Sequence, residues 1–270
     1  MHVVCLNGQL IPNKNISASD GCFETMFHTC DCIPLLQRHT ARLTSSLAEL
    51  NIKVPSFFKD DFIADAIEKL CVANNLTTAR IRLSVFKTSS SGFNYLLESF
   101  SITGDLRELN VDGCTLTIYK DECLIPTQSS NIKKTEREIY NNAGAYASTK
   151  NYTDAIILND DKNIVETSIA NIFLVKNNVL YTPALSQGCI AGIMRQMVLQ
   201  IAKLQKIVCS EVVISVEDLY TADEIFITNA VRGIRWVASI NDNTFTENKM
   251  AIKLYNSIQQ NINYNGKANT

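Results

Sequence analysis

The sequence predicts a mixed α/β chain, α+β in its first part, organised as two domains. Apolar runs of strand length are interleaved with stretches whose apolar residues recur at helical spacing. The 270 residues suffice for one large or two modest domains with a sizeable core. Between Thr103 and Gly113 the pattern turns polar and aperiodic, and GDLRELNVDG reads as a linker. The expected division is a smaller domain over 1–103, a linker over 104–113 and a larger domain over 114–270.

Residues 2–6 and 9–11 flank Asn7-Gly8, a strong hairpin signal. Apolar residues from Cys22 to Leu36 predict a second hairpin turning near Asp31. QRHTARLTSSLAELNI places Leu43, Leu47 and Leu50 on one helical stripe. FKDDFIADAIEKLCVANN does the same for Phe62, Ala66, Leu70 and Ala73. Strands are expected at 79–86 and 94–102. Beyond the linker come a strand in CTLTIYK, a helix through Tyr140 to Thr149, and a strand series from Asp154 to Tyr181. A helix follows, with Ile193, Met197, Ile201 and Leu204 on one face. Strands at 207–214, 224–228 and 234–240 and a helix over 247–262 close the fold, and 264–270 reads as a frayed tail.

Composition removes several classes of function. A net charge of −2, with 46% hydrophobic and 19% charged residues, describes an ordinary soluble globular protein. No basic excess points to nucleic acid. No apolar run reaches membrane-spanning length, and MHVVCLNGQL lacks the layout of a signal peptide, so a cytoplasmic protein is expected. The nine cysteines are scattered without a CxxC and accompany only three histidines. Reduced thiols are therefore expected, and no metal site. Glycine-rich dinucleotide or ATP loops and a G-x-S-x-G elbow are absent.

Some residues are harder to place. In VETSIANIF (165–173), which reads as the start of a strand, Glu166 and Asn171 sit inside material ready for burial. A buried carboxylate is costly unless a positive or hydrogen-bonding group faces it. Arg42 borders the stripe of the first helix, where it either solvates that margin or binds a phosphate bidentately. Lys133-Lys134 precede a helix, as a solvated start or as a source of an amine nucleophile. Gly192-Ile193 opens a helix whose unpaired N–H groups would suit a phosphate, although most helix starts bind nothing.

The ordered set LNGQLIP, SDGCFETM, QRHTARL, NIK, VETSIANIF, LYTPALSQGCIAGIMRQ and ADEIFITNA resembles the class IV aminotransferase family, the pyridoxal-phosphate enzymes of fold type IV. The resemblance covers nearly the whole chain. It implies two α/β domains with pyridoxal 5′-phosphate at their interface, and a homodimer. Lys133 then matches the lysine that holds the cofactor's aldehyde, ahead of Lys134. Glu166 matches the carboxylate on the pyridine nitrogen, which keeps the ring able to take up electrons. Arg42, Ile193, Met194 and Ala230 match phosphate-side positions, and Asn171 matches a supporting asparagine nearby.

The resemblance extends to the choice of member. The tyrosine that clamps a substrate carboxylate in D-amino-acid aminotransferases reads Phe23, and FKTSSSGFNY lacks that type's arginine and histidine. The Tyr-x-Arg of branched-chain enzymes reads Arg80-Ile81-Arg82, leaving Arg80 and Arg82 as substrate-carboxylate candidates. DGCFET, the YTP-x-L-x-Q stretch and GIMRQ resemble aminodeoxychorismate lyase, which removes pyruvate from 4-amino-4-deoxychorismate to give 4-aminobenzoate. That lyase is the expected activity, with an amino-acid transaminase of non-standard carboxylate recognition second and a non-catalytic cofactor-binding paralogue third. Two stretches depart from the family pattern: the shortened ISASDG loop, and KTERE after the lysine.

Overall fold

A computed structural model describes residues 2–13, 16, 18–29, 32–87, 92–102 and 108–262. Its chain divides into two compact units. One comprises Met1–Asp105, Ile132–Glu136 and Ile262–Thr270, and the other Leu106–Asn131 and Arg137–Asn261. The short segment bearing Lys133 therefore packs with the N-terminal residues, which a linear division of the chain does not convey. The predicted tail and most of the predicted linker's first half lie outside the described residues.

The first unit is an antiparallel sheet of β1 (Val3–Leu6), β2 (Gln9–Pro12), β3 (Gly21–Thr29), β4 (Thr78–Lys87) and β5 (Phe93–Ser101), in the order β2-β1-β5-β4-β3. Asn7 and Gly8 turn the β1–β2 hairpin with φ of 51° and 86°, the positive values that a two-residue hairpin loop requires. On β4, Ala79, Ile81, Leu83 and Val85 alternate into the core, where α1 (Leu36–Glu49) and α2 (Asp60–Ala73) contribute Leu43, Leu47, Ile63, Ile67 and Leu70. The buried face of α2 is thus displaced from the expected one. Ile63 and Ile67 are inside, Phe62 and Ala66 are half-buried, and Ala73 is exposed. Two stripes at helical spacing competed, and the larger β-branched side chains occupy the core.

The hairpin expected from Cys22 to Leu36 does not form. β3 instead pairs along its whole length with β4, and only a single bridge joins Thr29 to Cys32. Pro34 has no N–H to offer a ladder, and Leu35, with φ of 62°, leads directly into α1.

The second unit is built on a mixed sheet of nine strands. Its main path is β11-β10-β9-β12-β13-β6-β7-β8, with β14 paired to β13. The strands are β6 (Cys114–Ile118), β7 (Asp154–Leu158), β8 (Ile164–Thr167), β9 (Asn171–Lys176), β10 (Val179–Pro183), β11 (Cys209–Val212), β12 (Glu224–Asn229), β13 (Gly233–Ile240) and β14 (Asn243–Thr244). The helix α3 (Glu138–Thr149) packs on β7, and α4 (Ile193–Leu204) and α6 (Lys249–Asn261) pack on each other and on β12. Leu204, expected on the buried face of α4, ends the helix exposed. A short helix, α5 (Val216–Tyr220), was not foreseen. Ser215 and Asp218 close a capping box at its start.

VETSIANIF is two strands rather than one. β8 ends at Thr167, and the Thr167 hydroxyl closes the intervening turn by bonding both the N–H and the carbonyl of Ala170, each at 3.0 Å. Ile169, read as core material, sits on that turn 48% exposed. All four residues of β8 are buried, and so Glu166 is placed deep in the unit. Among the described residues, no helix is long and apolar enough to cross a membrane, and eight cysteines are free thiols.

Candidate active site

The residues singled out in the sequence fall into two sets, one in each unit. Glu166, Asn171, Ile193, Met194 and Ala230 belong to the second. Glu166 is 3% exposed, and the chain itself supplies the hydrogen bonds that its burial demands. The Tyr140 hydroxyl donates to Oε1 at 2.8 Å, the Ile190 N–H to Oε1 at 3.0 Å, and Asn171 Nδ2 to Oε2 at 2.8 Å. These donors are neutral. They offset lost hydration but bring no positive charge. The nearby cation is Arg137, whose guanidinium lies 4.2 Å from the centre of the Tyr140 ring and donates to the Ser168 carbonyl at 2.7 Å. Burial pushes the Tyr140 phenol far above its usual value, and the Glu166 charge pushes it further. Tyr140 is accordingly a donor at any working pH.

Asn171 joins this carboxylate to the start of α4. Its Nδ2 donates to the Ile190 carbonyl at 2.9 Å as well as to Glu166. Its Oδ1 lies so close to Gly192 that a Cβ there would be 1.9 Å away. Gly192 is the N-cap of α4 and gives no side-chain cap. The first-turn N–H groups, those of Ile193 and Met194 among them, have no acceptor within the helix. Both side chains are buried and anchor that end. Gly192→Ala should therefore cost about 2 kcal/mol or more through overpacking, read as a Tm several degrees lower. A Tm equal to the parent's would mean that the loop moves aside without cost.

Ala230 lies in the turn from β12 to β13, which Asn229 shapes by accepting at Oδ1 from the N–H of Val231 at 3.1 Å and of Arg232 at 2.9 Å. A cavity of about 240 Å³ flanks this turn, lined among others by Asp154, Thr228, Asn229 and Arg232. None of the predicted site residues borders it.

Lys133, Phe23, Arg42, Arg80 and Arg82 belong to the first unit. Residues 132–136 run along β3, the edge strand. The Phe23 N–H donates to the Lys133 carbonyl at 2.9 Å, and the Thr135 N–H to the Gly21 carbonyl at 3.0 Å. Ile132 is buried in the core and pins the segment. Lys133 Nζ lies 4.6 Å from the centre of the Phe23 ring, and the Arg82 guanidinium lies 4.1 Å from it. The amine and one candidate carboxylate ligand are thus gathered on one aromatic ring. Arg82 also donates to Ser84 Oγ at 3.3 Å and approaches Glu98 at 3.9 Å. Arg80 is exposed and stacks on Phe100 at 4.3 Å.

Alternation along β3 sends Glu24 to the opposite face from Phe23, toward α1. There Glu24, 2% exposed, accepts from Arg42 Nε at 2.7 Å and Nη2 at 2.5 Å, and meets His39 Nδ1 at 2.7 Å. Burial alone would raise the Glu24 carboxyl, but Arg42 and His39 outweigh it and hold the group at about 2. The Arg42 guanidinium is therefore held by a bidentate ion pair. Sequence reasoning passed over Glu24, His39, Tyr140 and Arg137 as site residues. Glu24 stood inside the quoted SDGCFETM and Arg137 inside the divergent KTERE, which were the available signals.

These features, two α/β units with a buried carboxylate in one and a lysine on an aromatic ring in the other, define a class. The family model for amino-transferase class IV matches residues 21–240, and the chain belongs to that family of enzymes. It is 30% identical over 251 residues to a putative branched-chain-amino-acid aminotransferase of Methanocaldococcus jannaschii, covering 86% of this chain and 85% of that one. It is 24% identical to the aminodeoxychorismate lyase of Vibrio harveyi, over 93% and 94% of the two chains. The fold is that of a branched-chain aminotransferase from Thermoproteus uzoniensis solved with norvaline, at a TM-score of 0.80, 24% identity, and coverage of 96% and 93%.

Proposed function

We propose that this chain is a pyridoxal 5′-phosphate enzyme and, within its family, a 4-amino-4-deoxychorismate lyase. The observation that carries the cofactor reading is Glu166, a buried carboxylate held in place by three neutral donors. Such a group suits a cationic ring N–H, whose charge the neutral donors do not supply. Lys133 is the amine to hold the aldehyde. Arg42, the first-turn amides of Ile193 and Met194, and the turn at Ala230 are the candidates for the phosphate, with Asn171 bracing Glu166 against the start of α4. When bound, the cofactor supplies an aldehyde for the substrate amine and a ring that draws electrons from the reacting carbon.

Lys133 Nζ then moves the proton at that carbon, and Phe23 gives the amine an apolar, π-rich wall. Arg82, gathered on the same ring, is the candidate for the substrate carboxylate, with Arg80 the more exposed alternative. In the lyase reaction the proton leaves the substrate ring as pyruvate departs. Two titles among similar structures from Thermus, at 19% identity, print N-(5′-phosphopyridoxyl)-L-glutamate and pyridoxamine 5′-phosphate as bound molecules, which supports the cofactor. The lyase reading draws on the Vibrio harveyi relative, which matches this chain nearly end to end. A transaminase is the second reading, favoured by the Methanocaldococcus relative and by the two arginines on β4. A homodimer in the cytoplasm is the assembly and location expected.

The test supplies aminodeoxychorismate and, separately, amino acids of both hands with a keto-acid acceptor. Purified protein should carry a visible absorbance band that Lys133→Ala abolishes, and should release pyruvate and 4-aminobenzoate without transamination. Keto acid formed from amino acids alone would overturn the lyase, and protein that takes up no pyridoxal phosphate would overturn the cofactor.

A further inference from the structure

The segment after the lysine, KTERE, departs from the family pattern, and the structure shows what it does with two of its neighbours. Arg137 ends it and Tyr140 follows within the first turn of α3. The guanidinium stacks 4.2 Å from the centre of the Tyr140 ring, and the Tyr140 hydroxyl reaches Glu166 Oε1 at 2.8 Å. We propose that Arg137 and Tyr140 form a positioning pair which aims the Glu166 carboxylate and keeps it ionised for the ring nitrogen of the cofactor. The inference rests on the cofactor reading given above.

Glu166 lies on a strand buried throughout, so its ionised form depends on what surrounds it. Asn171 and the Ile190 N–H satisfy hydrogen bonds from the β9 and α4 side. Tyr140 donates from α3, and it is the only one of the three donors coupled to a positive charge. A cation over the face of a phenol draws electron density from the ring and strengthens its O–H as a donor. The stack in turn depends on Arg137 being held, which its bond to the Ser168 carbonyl at 2.7 Å accomplishes. Ser168 is itself fixed by donating to Asp154 Oδ1 at 2.5 Å. The chain from Asp154 to Glu166 is therefore continuous: carboxylate, hydroxyl-bearing residue, guanidinium, phenol, carboxylate. Neither Arg137 nor Tyr140 is assigned to the reacting atoms, and both act through Glu166.

The experiment titrates pyridoxal phosphate into the full-length chain and into Tyr140→Phe and Arg137→Lys, following the visible band from pH 5 to 10 and the equilibrium affinity. Tyr140→Phe keeps the ring and removes only the hydroxyl, and should weaken cofactor binding about tenfold, the lower end of what loss of an outer hydrogen-bond partner costs at comparable sites. It should also move the pH dependence of the band. Arg137→Lys, which keeps the charge and loses the planar stack, should shift the band in the same direction and by less. Parental affinity and an unchanged pH profile in Tyr140→Phe would overturn the proposal, as would a lowered Tm accompanied by an unaltered band. If the parent chain itself takes up no cofactor, the functional reading fails and this inference falls with it. If the parent binds normally and both variants match it, this inference alone fails.

Discussion

Glu166→Gln is expected to lose roughly three decades of kcat/KM, about 4 kcal/mol of transition-state stabilisation, while remaining folded. The side-chain volume is kept, but an ionised acceptor becomes an amide with one acceptor and one donor. Tyr140, Asn171 and the Ile190 N–H all point donors at this position. The new NH2 thus faces at least one of them, and some donor is left unpaired at about 1–3 kcal/mol. Steady-state kinetics on the substrate that the parent turns over, with thermal unfolding alongside, measures both effects. Activity equal to the parent's would remove Glu166 from the site. Glu166→Ala should add a cavity cost and lower the Tm further.

Glu24→Gln carries the largest expected effect on stability. Glu24 lies fully inside the first unit between Arg42 and His39. Removing its charge leaves a buried guanidinium without that counter-charge, a change worth about 3–5 kcal/mol. The same pair predicts an acid transition. The carboxyl lies at about 2 in the folded chain against an ordinary value of 4.5, so the folded state binds its proton more weakly than the unfolded state does. Its contribution, on the order of 3 kcal/mol, is present above about pH 4.5 and is lost as pH falls toward 2. Chemical denaturation at pH 7 and pH 3 should show the parent losing more stability than Glu24→Gln over that interval. Equal losses in both would exclude Glu24 as the source. Because Arg42 is the proposed phosphate ligand, the variant should also bind pyridoxal phosphate less tightly.

Local chemistry made much of this chain legible without a structure. Asn7-Gly8 announces its hairpin because few residues accept two successive positive φ values. The strands from Asp154 to Tyr181 and the helix from Ile193 stand out because their periodicities are set by covalent geometry. The ordered motifs pointed to the family, and the comparisons show it. Glu166 was identifiable as a puzzle, an acid amid residues bound for the interior.

What solved the puzzle was long-range. The donors to Glu166 come from positions 24 and 26 residues away for Ile190 and Tyr140, and no spacing rule relates residues so far apart. The stripe of α2 was misplaced by one residue because helical periodicity admits neighbouring faces, and only contact with β4 and β5 selects Ile63 and Ile67. The expected hairpin after Cys22 failed for a related reason: pairing depends on which strand offers the longer ladder, and β4 lies far along the chain. The sequence by itself determined the periodic elements, the tight turns and the residue types needed for the chemistry. The tertiary structure alone decided that Glu24 holds Arg42, that residues 132–136 run along β3 and set Lys133 on Phe23, and that Arg137 backs Tyr140 against Glu166. Periodicity is written in adjacent residues, whereas the surroundings of a buried charge are assembled from segments that meet only when the chain has folded.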